Sequence, residues 1–285
     1  MGGANNICSD KTGTLTMNQM TVTHLWKGNF VEFNTDHQSY QTQKYFPSIN
    51  HSSLFFECGA CNTHGSIKNT NATERAIINI LKKFDVDIEG LRNKHLEDQF
   101  IRFQFTSKRK KMSTILTSIR DNEHGYDKRL HIKGAAEIVL DSCSKYINAD
   151  GDIVELTDQF KQEIIDTVIG KYAKDSLRTI CLAYKDLKEN EGGPTHELED
   201  GVNKVVEMSE LTCIAILGIR DVIRPEVPLN VKICQEAHIR VRMVTGDNKN
   251  TAIAIARECN IITSNHVDSV MEGPEFNKRV GGLKP

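Results

Sequence analysis

Asp10-Lys11-Thr12-Gly13-Thr14-Leu15-Thr16 opens directly after a short run, residues 4–8, that reads as a strand. The polar residues and the glycine between Ser9 and Thr14 end that strand, so an acid stands at its carboxyl end. In open α/β sheets ligands bind at that edge, because loops leave the sheet there and their backbone amides can hold anions. The arrangement recurs late in the chain. Ile239-Arg240-Val241-Arg242-Met243-Val244 alternates apolar and basic residues and breaks at Thr245-Gly246-Asp247-Asn248. A helix is expected next, over residues 251–259, with Asp247 or Asn248 available to cap it.

Between these two α/β pieces, residues 25–208 carry strands, helices and polar breaks of their own, which predicts an inserted domain. Strands are expected over 100–105, 112–119 and 130–132, the first two alternating as a half-buried antiparallel sheet does. Helices are expected over 72–84, 134–142 and 158–172, and a surface loop over 189–201, around Gly192-Gly193-Pro194. The division is therefore 1–24 with 209–285 as one α/β domain, and 25–208 as a mixed α and antiparallel-β domain inserted in it.

Composition narrows the function classes. A length of 285 residues favours two domains, and 39% hydrophobic with 26% charged residues is ordinary for a globular chain. With 36 basic against 38 acidic residues there is no general attraction to nucleic acid or anionic lipid, so any anion site must be local. No run approaches the roughly 18 apolar residues of a membrane span, and the longest, residues 211–219, suits a buried strand. The first residues have neither a basic nor an apolar leader region, which fits a cytosolic setting. The eight cysteines lack framework spacing and read as reduced thiols. Cys58-Gly59-Ala60-Cys61 has no second ligand pair for zinc and reads as buried thiols on a helix.

Asp10 to Thr16 resembles the phosphorylation motif of P-type ATPases, and further motifs match in that family's order over nearly the whole chain. The resemblance implies an incomplete haloacid-dehalogenase-like, Rossmann-like phosphorylation domain with an inserted nucleotide-binding domain, using ATP and Mg2+. Asp10 would be the nucleophile that takes the γ-phosphate as an acyl phosphate, with Lys11 as a neighbouring cation and Asp10 and Thr12 beside the metal. Hydrolytic relatives of the fold place a second aspartate two residues after the nucleophile; Thr12 stands there, so the phosphoenzyme should outlive its formation.

Thr245-Gly246-Asp247 resembles the loop that hydrogen-bonds the phosphoryl group. Asp221-Val222-Ile223-Arg224-Pro225 resembles the hinge motif, with Asp221 near the ribose and magnesium and Arg224 in the same motif. Lys133-Gly134-Ala135-Ala136-Glu137 is similar to the nucleotide-pocket motif, with Lys133 lining the purine, Gly134 letting the backbone approach it, and Ala136 where the family has proline. Phe105 to Met112 resembles the adenine-stacking strand, with Phe105 as platform and Lys110 as a basic wall. Thr73-Glu74 matches the acid that accepts from the adenine amino group, and Leu177-Arg178 the arginine that reaches the phosphates.

Arg224-Pro225-Glu226-Val227-Pro228, the run from Arg240 to Asn248, and Glu272-Gly273-Pro274-Glu275-Phe276 look like the plasma-membrane calcium-pump branch. Calcium would then be the transported ion, with the remaining pump domains and membrane helices as partners. The chain contains neither the G-D-G-x-N-D segment of the family nor its T-G-E-S loop, so by itself it is not expected to form a stable phosphoenzyme. Two alternatives stay open here: a soluble phosphatase of the same fold, and a non-catalytic ATP-binding or regulatory module.

Overall fold

Strands form where β-branched and apolar residues run together or alternate. In chain order they are β1 (Asn6–Asp10), β2 (Thr16–Trp26), β3 (Phe30–Glu32), β4 (Phe100–Phe103), β5 (Lys111–Leu116), β6 (Lys128–Ala135), β7 (Cys143–Ile147), β8 (Ile153–Glu155), β9 (Arg178–Leu187), β10 (Leu211–Ile223) and β11 (Arg240–Val244). The computed structural model describes residues 3–33, 37–64, 70–96, 100–117, 128–175, 177–188, 205–246, 249–262 and 270–281. The loop expected over 189–201 lies outside them, as does Asp247.

The chain divides into two units, Met1–Gln19 with Lys174–Ser176 and Asp221–Pro285, and Met20–Ala173 with Leu177–Arg220. In the larger unit the sheet runs β3-β2-β10-β9-β6-β5-β4, with β7 on β10 and β8 on β7. β4, β5, β6, β9 and β10 pair antiparallel in turn, and β10 pairs parallel with β7. Helices cover both faces, which the alternation along β9 makes plain. Leu182 and Tyr184 join the core formed with helices Ile49–Cys61 and Ala72–Lys83, while Cys181 and Ala183 join the core with Val139, Leu140, Val168 and Tyr172. Residues 211–219 are buried without a break, as a strand covered on both faces requires.

Several elements differ in extent from the sequence expectation. β4 stops at Phe103 because residues 106–110 close a turn, Lys110 N donating to Thr106 O at 2.8 Å. β6 runs on through Gly134 to Ala135, since Gly134 pairs with Lys111 and Ala135 N donates to Lys110 O at 3.0 Å; the helix then begins at Ala136. The segment expected as one helix over 158–172 is Asp158–Ile164 and Gly170–Lys174 joined by a wider helical turn, Ile165–Ile169. Cys58 and Cys61 are buried in helix Ile49–Cys61, where burial pushes the Cys61 thiol up to about 12.

In the smaller unit β1 and β11 pair in parallel, from Asn6 opposite Arg240 to Asp10 opposite Val244. Leu15, Val227, Val231, Ile255 and Cys259 form its core, bringing the loop after β1 together with helices Val227–Glu236 and Lys249–Glu258.

Candidate active site

The strand register of the smaller unit sets its chemistry. Asp10 is the last residue of β1 and Val244 the last of β11, so Lys11 and Thr245 leave the parallel pair at the same end. Asp10 is exposed, and its Oδ1 accepts from Lys11 N at 2.7 Å. The chain then turns sharply at Gly13, whose φ of 78° is left-handed and suits glycine. Lys11 is buried, Thr12 and Thr14 are exposed, Thr245 is half-buried, and Gly246 is exposed with open space where a Cβ would stand.

Asp221 and Arg224 fasten this loop. The buried Thr16 hydroxyl donates to Asp221 Oδ2 at 2.5 Å and accepts from Gly13 N at 3.2 Å, while Gln19 N donates to Asp221 Oδ1 at 2.9 Å. Arg224 supplies three donors: its backbone N to Leu15 O at 3.0 Å, Nε to Thr14 O at 3.1 Å and Nη2 to Gly13 O at 3.0 Å. Charge-assisted bonds of this kind are the stronger ones. An exposed carboxylate on a turn fastened in this way is an arrangement able to attack a phosphoryl group.

In the larger unit, antiparallel pairing brings the start of β5, the end of β6 and the start of β9 to one end of the sheet: Lys111 pairs with Gly134, and Gly134 with Cys181. Glu74, Lys110, Lys133, Gly134 and Arg178 gather there. Helix Ala72–Lys83 begins with Asn71, whose side chain accepts from Glu74 N at 2.9 Å, a cap worth about 1 kcal/mol. That start sends the Glu74 carboxylate inward, where it is 1% exposed and 2.8 Å from Lys133 Nζ. Lys133 Nζ also donates to the Asn62 carbonyl, and His64 Nδ1 lies 2.9 Å from Glu74 Oε2. Burial works to raise the Glu74 carboxyl, but Lys133 and then His64 outweigh it and hold the group below its ordinary value. Glu74 therefore stays an acceptor.

Gly134 is demanded by close packing: an added Cβ would lie 2.6 Å from Lys110 O and 2.8 Å from Lys111 Cα. Lys110 is exposed at a φ of 53°, and Phe105 on the same turn is 53% exposed. Arg178 is exposed, and its Nη1 donates to Thr73 Oγ1 at 2.7 Å, beside Glu74. Sequence reasoning missed His64 and Asn62. Asn62 accepts from Lys133 through its carbonyl and ties its side chain to Met112 O at 3.2 Å and Thr114 Oγ1 at 3.0 Å. Only their place just after helix Ile49–Cys61 could have hinted at a role.

The family described as P-type ATPase, cytoplasmic domain N, matches residues 50–226. Plasma membrane calcium-transporting ATPase 4 of Homo sapiens is 36% identical over 303 aligned positions, covering 100% of this chain and 23% of that protein. Plasma membrane calcium-transporting ATPase 3 of Rattus norvegicus is 38% identical over 292 positions, covering 100% of the chain and 22% of the relative. Plasma membrane calcium-transporting ATPase 1 of Gallus gallus is 36% identical over 306 positions, with 100% and 23% covered. The chain thus spans under a quarter of the length of these curated relatives. Among the described residues no helix is long and apolar enough to cross a membrane.

Proposed function

This chain belongs to the P-type ATPase family, and from that membership we propose that it is the cytoplasmic catalytic region of an ATP-driven calcium transporter. It binds ATP through the inserted domain and accepts the γ-phosphate on Asp10 of a haloacid-dehalogenase-like domain. The observation that carries this reading is Asp10 itself, exposed at the carboxyl end of a parallel strand on a loop fastened by Asp221 and Arg224. The choice of calcium is supported by the names of relatives that match the whole chain.

In the reaction, an Asp10 carboxylate oxygen forms a bond to the γ-phosphorus of ATP, and the bond from that phosphorus to the bridging oxygen breaks. ADP leaves with the electron pair, and an acyl phosphate remains. The Thr245 hydroxyl and the Gly246 amide hold phosphoryl oxygens. Lys11 contributes positive charge to the loop. Oxygen atoms of Asp10 and Thr12 on the exposed side of the turn suit Mg2+, which takes oxygen ligands and, when bound, neutralises phosphate charge. Phe105 stacks on the base with Lys110 beside it, Glu74 accepts from its amino group, Lys133 orients Glu74, and Arg178 meets the phosphates. Asp221 and Arg224 serve the nucleotide by holding the loop.

Within a whole pump, with the remaining domains and membrane helices present, the chain incubated with γ-labelled ATP and magnesium and quenched in acid should carry label that requires calcium and is released by hydroxylamine, whereas the chain by itself should carry none. Asp10→Asn should carry none. Label that persists in Asp10→Asn overturns the assignment of the nucleophile, and label indifferent to calcium overturns the ion.

A further inference from the structure

Lys108-Arg109-Lys110-Lys111 is a run of four basic residues whose members alternate in exposure. Lys108 and Lys110 are exposed, while Arg109 is 7% and Lys111 2% exposed. Both buried cations face Glu207, which is 0% exposed and stands in the short turn Val205–Glu207 ahead of β10. Arg109 Nη2 and the Ser113 hydroxyl both donate to Glu207 Oε1, and Lys111 Nζ lies 3.8 Å from Oε2. A carboxylate so withdrawn from water is tolerable only among cations and donors, and apolar residues of similar volume often serve stability as well. What such a cluster supplies is geometry.

That geometry concerns the turn that carries Phe105 and Lys110. Arg109 Nη1 donates to Gln104 O at 2.6 Å, Arg109 N to Thr106 Oγ1 at 3.1 Å, and Lys110 N to Thr106 O at 2.8 Å. The Glu207–Arg109 pair therefore closes residues 104–110 from inside, although Phe105 itself is more than half exposed. A turn held before the ligand arrives spares the entropy of ordering it on binding.

We propose that Glu207 is a positioning residue for nucleotide binding, acting through Arg109 to present Phe105 and Lys110 to the base. The inference rests on the reading of the larger unit as the ATP-binding one. Titration calorimetry with ATP on the wild type, Phe105→Ala, Glu207→Gln and the double variant tests it. Phe105→Ala should weaken binding about tenfold to a hundredfold through lost stacking. Glu207→Gln should weaken it about tenfold in the wild-type background and less than about twofold beside Phe105→Ala, because residues acting through one another are not additive. Thermal melting identifies any variant that does not fold. Should Glu207→Gln fail to fold, Arg109→Lys decides by the same cycle, since it keeps the charge opposite Glu207 and loses the fork that reaches Gln104. Wild-type affinity in the deciding variant, or an equal loss in both backgrounds, overturns the positioning role alone. A wild type that binds no ATP overturns the ATP reading and this inference with it.

Discussion

Gly134→Ala should damage both the stability of the larger unit and its hold on nucleotide. The new methyl carbon would stand 2.6 Å from Lys110 O, 2.7 Å from Lys111 Cβ and 2.8 Å from Lys111 Cα. Carbon atoms in good contact lie about 3.5 to 4.0 Å apart, so roughly 0.7 Å or more must be found. The obstructing atoms are the Lys110 carbonyl just before β5 and the Cα and Cβ of Lys111 at its start, not the tip of a flexible side chain, so the two strands must part. Overpacking of this kind costs about 1 to 3 kcal/mol. Alanine recovers about 0.4 to 1 kcal/mol by restricting the unfolded chain, leaving a net loss on the order of 1 to 2 kcal/mol. In a unit of this size the melting temperature should fall by about 2 to 8 °C. The displacement also reaches Lys110, whose carbonyl accepts from Ala135 N, and with it the turn bearing Phe105. ATP affinity should fall several-fold. Differential scanning calorimetry and ATP titration on the purified chain measure both effects. A variant that melts with the wild type and binds ATP equally well would refute the close approach of these strands.

Lys133→Met should cost about 3 to 5 kcal/mol in urea unfolding, because it leaves the buried Glu74 carboxylate without its nearest cation. Glu74→Leu added to Lys133→Met should restore most of that loss, and a single variant as stable as the wild type would show the pair to be absent. Acid should weaken the fold through His51, which is fully buried, donates from Nε2 to Ile214 O at 2.9 Å, and has no hydrogen-bond partner at Nδ1 among the described residues. Burial lowers its pKa to about 4; the Ile214 carbonyl opposes that shift and Lys27 adds to it. The folded form therefore binds fewer protons than the unfolded one, so this stability is present above about pH 6.5 and is lost as the pH falls toward 4, in total about 3 kcal/mol. His51→Gln keeps a donor for Ile214 and cannot titrate, so its stability should vary less with pH over that window; an unchanged profile would clear His51.

Strands β4, β5 and β6, helix Ala72–Lys83 and the buried run of β10 were legible because hydrophobic periodicity records which faces meet water, whereas β2 and β9, on either side of β10, were not anticipated. Local chemistry likewise marked the end of β1, where Asp10, Gly13 and their polar neighbours cannot continue a strand. Boundaries were less legible wherever a partner strand decided them. Gly134 stays in β6 because β5 lies beside it, and no property of the residues flanking Gly134 states which strand that is.

By itself the sequence determined the strand-end acid on its glycine turn, the recurrence of that pattern before Thr245 and the family motifs, all of which depend on neighbours within a few residues. Only the tertiary structure decided which charges lie inside and what they face. Glu207 is nearly a hundred residues from Arg109, Lys133 is 59 from Glu74, and Asp221 is 205 from Thr16. Such pairs arise because sheet register and helix placement bring the side chains together, and a buried charge is stable only where that geometry supplies its counterpart.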